Sequence, residues 1–150
     1  MDKKRIVLAA DHAGYPLKCA LKKRLEDAGY PVLDVGTDSA ASCDYPLFAA
    51  AGCEKVLGGE ADYAILVCGT GIGMSMAANK LKGIRAACCS DVYSAKYTRL
   101  HNDANVLCLG ARVVGEGLAW EMVEAFLAAE FEGGNHARRV NLIRDLEERD

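Results

Sequence analysis

Five short apolar runs alternate along the chain with segments of helical periodicity, and this alternation constrains the fold more than any other feature of the sequence. The runs are predicted to be strands, at Ile6–Ala10, Val32–Val35, Tyr63–Cys68, Ile84–Cys89 and Val106–Leu109. Several are almost continuously hydrophobic, as expected of strands covered on both faces in a parallel sheet. Because crossover connections are right-handed, the alternation predicts a doubly wound α/β fold with helices on both faces.

We predict a Rossmann-like three-layer sandwich with a five-stranded parallel sheet in the order 2-1-3-4-5. That order places a switch point between the first and third strands, and ligands bind beyond the carboxyl ends of strands at such points. The first helix carries Leu17, Leu21 and Leu25 on one face and should stop before Gly29 and Pro31. No repeat, low-complexity tract or linker interrupts the pattern, so residues 1–150 are predicted to form a single domain.

Charge and cysteine content exclude several function classes. With 18 basic and 21 acidic side chains the formal charge is −3, so no basic excess exists to bind nucleic acid or an anionic membrane. No apolar run approaches the ~20 residues needed to span a bilayer. The seven cysteines are odd in number and lack the spacing of a disulfide framework or a zinc site. We therefore predict a cytoplasmic protein in a reducing compartment.

Polar residues cluster where the first and third predicted strands end. The first strand runs into Asp11 and His12, and the third into Cys68-Gly69-Thr70-Gly71-Ile72-Gly73. If the two ends face each other, a carboxylate, an imidazole, a thiol and a hydroxyl converge over a glycine-rich loop that opens a helix. Unshielded N–H groups of such a loop form an anion cradle and lower the pKa of a neighbouring thiol. Of the seven cysteines, Cys68 is thus the one whose position suggests a role in a reaction mechanism.

Each of these features also has a structural interpretation. A cysteine at a strand end is often a small hydrophobic residue, and the glycines alone are compatible with a tight strand-to-helix turn. The loop is not a dinucleotide fingerprint, because Met74 stands where G-x-G-x-x-G requires glycine. Asp11 and His12 are equally compatible with a helix cap and its neighbour.

Outside this cluster the residues leave two interpretations open. His101 near the end of the fourth helix is either a general acid/base or part of a C-terminal cap. Arg112 follows the fifth strand and suits an anionic ligand or a surface ion pair. Tyr45 at the start of the second helix stacks on a ligand or simply packs. The cations Arg85, Lys96 and Arg99 are predicted to be solvated surface residues.

Taken together, the motifs resemble the ribose-5-phosphate isomerase B family, which includes galactose-6-phosphate and allose-6-phosphate isomerases. The resemblance covers nearly the whole chain. It rests on several separate motifs in the right order, at residues 10–14, 34–37, 44–46, 68–73, 77–80, 83–86, 94–95, 99–106 and 110–115.

The resemblance implies an aldose–ketose isomerase that needs no metal or cofactor and moves a proton between C1 and C2 through a cis-enediolate. It assigns the catalytic base to Cys68, ring opening to His101 and assistance in that step to Thr70. It assigns substrate binding to Asp11, His12, Tyr45, Asn102 and the loop residues Gly69, Gly71, Ile72 and Gly73, whose N–H groups stabilise the enediolate. It also implies a homodimer or homotetramer with sites at the subunit interface.

One position departs from the family pattern. The phosphate pocket of the family uses Arg112 and two arginines at the start of the last helix, of which Arg139 is present. Asn135 stands where the other arginine is expected, so a charged phosphate contact is missing, and the asparagine is compatible with a helix N-cap.

Three functions therefore stay open at this stage. The first is isomerisation of ribose 5-phosphate and ribulose 5-phosphate. The second is isomerisation of a hexose phosphate, such as allose or galactose 6-phosphate, or of an unphosphorylated aldose. The third, of another class, is a non-catalytic sugar- or nucleotide-binding module.

Overall fold

The computed structural model describes residues 2–149, in which five strands alternate with helices. The strands are β1 (Ile6–Ala10), β2 (Val32–Asp34), β3 (Tyr63–Cys68), β4 (Ala86–Cys88) and β5 (Val106–Gly110). The helices are α1 (Tyr15–Asp27), α2 (Tyr45–Leu57), α3 (Ile72–Ala78), α4 (Val92–Asn102), α5 (Glu116–Ala128) and α6 (Asn135–Glu147). None of the helices in this part of the chain is long and apolar enough to cross a membrane.

Every strand pair in the sheet is parallel, and helices cover both faces, which confirms the predicted doubly wound, Rossmann-like α/β sandwich. Side chains of α1, α4 and α5 form one hydrophobic core against the sheet. Side chains of α2 and α3 form the other core on the opposite face. The fully buried strands β1, β3 and β5 supply alternate residues to the two cores.

The predicted strand order 2-1-3-4-5 is wrong at one end, because the sheet has the order β2-β1-β3-β5-β4. All five residues of β5 are buried, whereas the three residues of β4 are only partly buried or exposed. A strand covered on both faces belongs inside the sheet, and a short half-exposed strand belongs at its edge.

This order gives β3 a switch point on both flanks. Helix α3, which follows β3, packs on one face, whereas α1 after β1 and α5 after β5 pack on the other. The predicted switch point between β1 and β3 is therefore present, and a second lies between β3 and β5. The end of β3 faces a crevice on each side.

Element boundaries follow the sequence closely where the strands are fully buried. The predicted bounds of β1 and β3 are confirmed, and α1 ends before Gly29, which has a φ of +90°. Strand β4 is shorter than predicted because Ile84 lies in a turn, its N–H donating to the Leu81 carbonyl oxygen at 3.2 Å.

Arg99 is buried, with 4% of its surface exposed, so its prediction as a solvated cation is wrong. Its Nη1 donates to Asp103 Oδ1 and to the Ala104 carbonyl oxygen, both at 2.8 Å. The guanidinium also lies 4.7 Å from the ring centre of Tyr63 and 5.8 Å from that of Phe126. Arg99 is therefore part of the core that holds α4 against the sheet.

Candidate active site

The ends of β1 and β3 meet at the carboxyl edge of the sheet, as the sequence predicts. The Asp11 N–H donates to the Val67 carbonyl oxygen at 3.2 Å, which continues the β1–β3 pairing beyond β1. Gly14 packs directly on the backbone of Val67, so closely that an added Cβ would overlap the carbonyl group. The Asp11–Gly14 turn is thus held against the last residues of β3.

Cys68 is the last residue of β3, and its thiol is held by the glycine loop that follows. Only 5% of its surface is exposed, and its sulfur accepts a hydrogen bond from the Gly71 N–H at 3.1 Å. Gly71 has a φ of +80°, and an added Cβ would lie 2.9 Å from the Leu109 carbonyl carbon. Glycine is therefore required for the turn that brings this amide onto the sulfur.

The other amides of the glycine loop differ in whether a protein acceptor already binds them. The Ile72 N–H donates to Thr70 Oγ1 at 3.2 Å. Among residues 2–149, neither the Gly69 nor the Thr70 amide donates to a protein acceptor. Thr70 itself is exposed, and its backbone rests on Gly110, where an added Cβ would lie 2.6 Å from the Thr70 carbonyl oxygen. Packing against Gly110 thus fixes the position of the loop. The free N–H groups of Gly69 and Thr70 are of the kind that stabilise a developing oxyanion.

Asp11 and His12 are both oriented by backbone amides. Asp11 is 7% exposed, and its Oδ1 accepts a hydrogen bond from the Gly14 N–H at 2.9 Å. His12 Nδ1 accepts from the Cys43 N–H at 3.2 Å. In the neutral ring the proton then lies on Nε2, so His12 presents a hydrogen-bond donor on its other side.

Tyr45 and Arg112 border the loop on its two sides. The Tyr45 ring packs against Gly73, where an added Cβ would lie 2.6 Å from Cε1 of the ring. The Arg112 N–H donates to the Gly69 carbonyl oxygen at 3.0 Å. The Arg112 guanidinium lies over Gly69, where an added Cβ would be 3.4 Å from Nη1. Arg112 therefore brings a positive charge to the second crevice, between β3 and β5.

The remaining predicted site residues lie elsewhere in the chain. Helix α4 starts after β4 and ends before β5, so His101 and Asn102 at its end lie at the amino edge of the sheet. Strand β3 separates the two edges by about 17 Å at ~3.3 Å per residue. The structure therefore does not bring His101 to Cys68 within one chain.

At that amino edge His101 is paired with the segment before α6. Its Nε2 lies 2.9 Å from Glu132 Oε1, and its ring stacks on His136 with centroids 4.0 Å apart. Asn135 is the first residue of α6, whose N-cap position is Gly134, so Asn135 is not the cap. Arg139 is exposed one turn further along the helix.

Two residues with a role in the site's geometry were not predicted. Cys43 fixes the His12 ring through its backbone amide, and no sequence pattern indicates a contact across 31 positions. Gly110 supports the Thr70 backbone from the neighbouring strand. The sequence shows a glycine at the end of an apolar strand, but its contact with Thr70 can be predicted only when the strand order is known.

Comparison with known proteins adds a consistent set of relatives. The family model described as Ribose/Galactose Isomerase matches residues 6–143. Ribose-5-phosphate isomerase B of Escherichia coli is 49% identical, over 97% of this chain and 98% of that protein. D-erythrulose-4-phosphate isomerase 2 of Mycolicibacterium smegmatis is also 49% identical, over 93% of this chain and 94% of the relative.

The solved structures agree with this relationship. Ribose-5-phosphate isomerase B of Clostridium thermocellum superposes with a TM-score of 0.95 at 49% identity, over 96% of this chain and 97% of that one.

Proposed function

The chain belongs to the ribose/galactose isomerase family, and on that premise we propose that it interconverts ribose 5-phosphate and ribulose 5-phosphate. The observation that carries the proposal is the Cys68 thiol, held at 3.1 Å by the Gly71 N–H beside the free amides of Gly69 and Thr70. A base next to an oxyanion cradle is what proton abstraction beside a carbonyl requires.

In this proposal the reaction is a proton transfer between C1 and C2. The Cys68 thiolate removes the proton from C2 of the open-chain aldose, and negative charge develops on the carbonyl oxygen. The loop amides stabilise that charge in the cis-enediolate, and one such donor is worth roughly 3–4 kcal/mol in acyl-transfer enzymes. The hydroxyl proton on O2 passes to O1 across the cis-enediolate, and the Cys68 thiol returns the carbon-bound proton to C1, which gives the ketose.

Asp11 and His12 hold the sugar in this scheme. The second carboxylate oxygen of Asp11 accepts from a sugar hydroxyl, while the Nε2–H of His12 donates to a sugar oxygen. The Tyr45 ring on Gly73 closes one side of the pocket. Arg112 on the other flank of β3 attracts the phosphate group.

We further propose that a second copy of the chain completes the site. His101, the predicted group for ring opening, lies about 17 Å from the edge that holds Cys68, so the catalytic set is divided within one chain. Exposed apolar side chains surround the carboxyl edge, as at a buried interface: Leu47, Ile72, Met76, Tyr93 and Val113. A homodimer that buries this edge brings His101, Asn102, Asn135 and Arg139 of one copy toward Cys68 of the other; a homotetramer would repeat the arrangement.

A mixed-subunit experiment tests this arrangement. Cys68→Ala and His101→Asn homomers should both be inactive. Mixing them under subunit exchange should restore part of the activity, because one site of each hybrid then has both groups intact. No recovery in a verified hybrid would contradict a shared site.

The asparagine at position 135, in place of the arginine of the family pattern, favours a second candidate substrate. Without an arginine at this position the phosphate pocket loses one bidentate contact. A hexose phosphate or an unphosphorylated aldose is then a competing substrate, and the relative from M. smegmatis is named for a four-carbon sugar phosphate. Asn135→Arg should favour ribose 5-phosphate over ribose in kcat/KM. Asn141→Arg, the same substitution on the same helix, is the matched control.

The deciding experiment is an NMR assay in deuterium oxide. The panel contains ribose 5-phosphate, ribose, allose 6-phosphate, galactose 6-phosphate and erythrulose 4-phosphate. Deuterium incorporation with ketose formation from ribose 5-phosphate is the expected result. Cys68→Ala should abolish it, whereas Cys19→Ala, which removes an exposed thiol, should not. Thermal stabilisation by a sugar without exchange would instead indicate a binding module.

We propose that residues 1–150 form one sugar-phosphate isomerase domain of carbohydrate metabolism, in the pentose phosphate pathway. The cytoplasmic location and the exclusion of nucleic-acid and membrane partners stay predictions from composition.

A further inference from the structure

Two imidazoles and a carboxylate converge at the end of α4, away from the Cys68 edge. Glu132 Oε1 lies 2.9 Å from His101 Nε2 and 3.6 Å from His136 Nε2. The three ligand atoms lie within 4.8 Å of one another. All three residues are partly or largely exposed, so the cluster is accessible in the single chain.

Two histidines and one glutamate form a ligand set that binds zinc and similar divalent transition metals in proteins. Bond lengths of 2.0–2.2 Å in tetrahedral geometry separate the ligand atoms by about 3.3 Å. The two observed separations from Glu132, 2.9 and 3.6 Å, bracket that value. A tetrahedral ion held by three protein ligands has one further position, which water can fill.

The backbone around the cluster already holds the ligands together. The Glu132 N–H donates to the Leu100 carbonyl oxygen at 3.0 Å, which fixes Glu132 beside the last turn of α4. The Tyr97 ring contacts the His101 ring edge-on with centroids 5.0 Å apart. His136 follows Glu132 by four residues at the start of α6. The two imidazole planes are 8° apart, so His136 must tilt about its side-chain bonds for both nitrogens to face one ion.

From this geometry we propose that His101, Glu132 and His136 form a binding site for a divalent transition-metal ion, and that the bound ion inhibits isomerisation. The ion occupies the lone pair of His101 Nε2, which then neither accepts nor donates a proton. The inhibitory consequence rests on the proposed function, in which His101 opens the sugar ring. The binding itself does not depend on it.

Cobalt(II) is the probe, because its spectrum distinguishes ligand types. The full-length, reduced, metal-free protein is titrated with Co²⁺ while binding is followed by visible absorption and by equilibrium dialysis. We expect about one ion per chain at this site, with a d–d band and no thiolate-to-cobalt charge-transfer band, because no cysteine is a ligand. The proposed dimer brings Cys68 of the other copy toward His101, so Cys68→Ala is titrated as well. A thiolate band at the site in this variant would overturn the assignment.

Glu132→Gln and His136→Gln remove one ligand each from the surface cluster. Loss of an outer-shell partner costs 10–100-fold in metal affinity, so loss of a ligand should weaken Co²⁺ binding by at least ~10-fold. Glu130→Gln removes the same charge two residues away, outside the cluster, and should bind Co²⁺ as the wild type does. Equal binding by all four proteins would refute the site.

Inhibition is measured for each protein relative to its own metal-free activity. We expect Co²⁺ to inhibit the wild type and Glu130→Gln at concentrations that leave Glu132→Gln and His136→Gln active. Binding without inhibition would refute the inhibitory role of the ion. Absence of activity toward every sugar would instead contradict the proposed function, and the Co²⁺ spectra would still test the metal site.

Discussion

Replacing Gly110 with alanine should displace the glycine loop that follows Cys68. Gly110 ends β5, and an ideal Cβ there would lie 2.6 Å from both the carbonyl carbon and the oxygen of Thr70. The obstacle is backbone rather than a flexible side chain, so the loop must retreat. Gly110 does not have a positive φ, and alanine is therefore compatible with its backbone conformation. The cost is purely steric.

The size of the effect follows from the overlap. Overpacking of this kind costs about 1–3 kcal/mol of the free energy of unfolding. For a chain of this length a loss of ~2 kcal/mol lowers the melting temperature by about 4–8 °C. A displacement of ~1 Å in a catalytic group costs about 100-fold in rate, so kcat should fall by roughly that factor.

Gly117→Ala is the matched control, because nothing lies within 4 Å of a Cβ at Gly117 in α5. Gly117 is the second residue of α5, so alanine there should gain at most the ~0.8–1 kcal/mol that it gains over glycine in a helix interior. This variant should melt at or slightly above the wild-type temperature and keep wild-type turnover. Both variants are compared by calorimetry and by turnover of ribose 5-phosphate. If Gly110→Ala kept the wild-type melting temperature and kcat, the assigned packing between β5 and the loop would be wrong.

Three further predictions concern buried charges and thiols. Lys18→Met should lower the free energy of unfolding by about 1.5–3 kcal/mol at pH 7, measured by urea unfolding, because Asp34 Oδ1 loses the hydrogen bond that the buried Lys18 Nζ donates at 2.7 Å. Burial opposes ionisation of Asp34, but hydrogen bonds from Lys18 and the Gly36 amide lower its pKa overall, so the stability deficit should shrink as the pH falls below ~4. Arg99→Met should lower stability by ~3 kcal/mol in the same assay because a buried carbonyl loses its donor, and a neutral effect would contradict the packing. Burial raises the pKa of Cys53 to about 12, so mass spectrometry after iodoacetamide treatment of the native protein at pH 8 should find this thiol unmodified and the exposed Cys19 labelled.

The sequence predicts the fold class because the buried strands are continuous apolar runs. Strands β1 and β3 are buried at every residue, and their bounds could be read from hydrophobicity alone. The order of β4 and β5 could not, because strand neighbours are decided by long-range packing. Only the composition of the two strands weakly indicates their order. Ala86–Cys88 has only small side chains, whereas the side chains of Val106–Leu109 pack into both cores.

The charge of Arg99 predicts a surface position, but long-range contacts again decide otherwise. Ala95, Thr98 and Arg99 share the buried stripe of α4 at helical spacing, but a guanidinium is normally assigned to the surface. Its burial depends on acceptors at Asp103 and Ala104, which exist only because the chain turns just after α4.

The observed strand order, β2-β1-β3-β5-β4, also explains why the thiol and the glycine loop lie at the end of β3. With β5 rather than β4 beside it, β3 is followed by a helix on the face opposite to the helices that follow both of its neighbours. A ligand over Cys68 therefore has a crevice on each flank, with Asp11 and His12 on the β1 side and Arg112 on the β5 side. In the order 2-1-3-4-5 the helices after β3 and β4 would share a face, and the second crevice would be closed. A ligand that spans both crevices can contact Asp11 and His12 at one end and Arg112 at the other, which suits the hydroxyls and the phosphate of the proposed substrate.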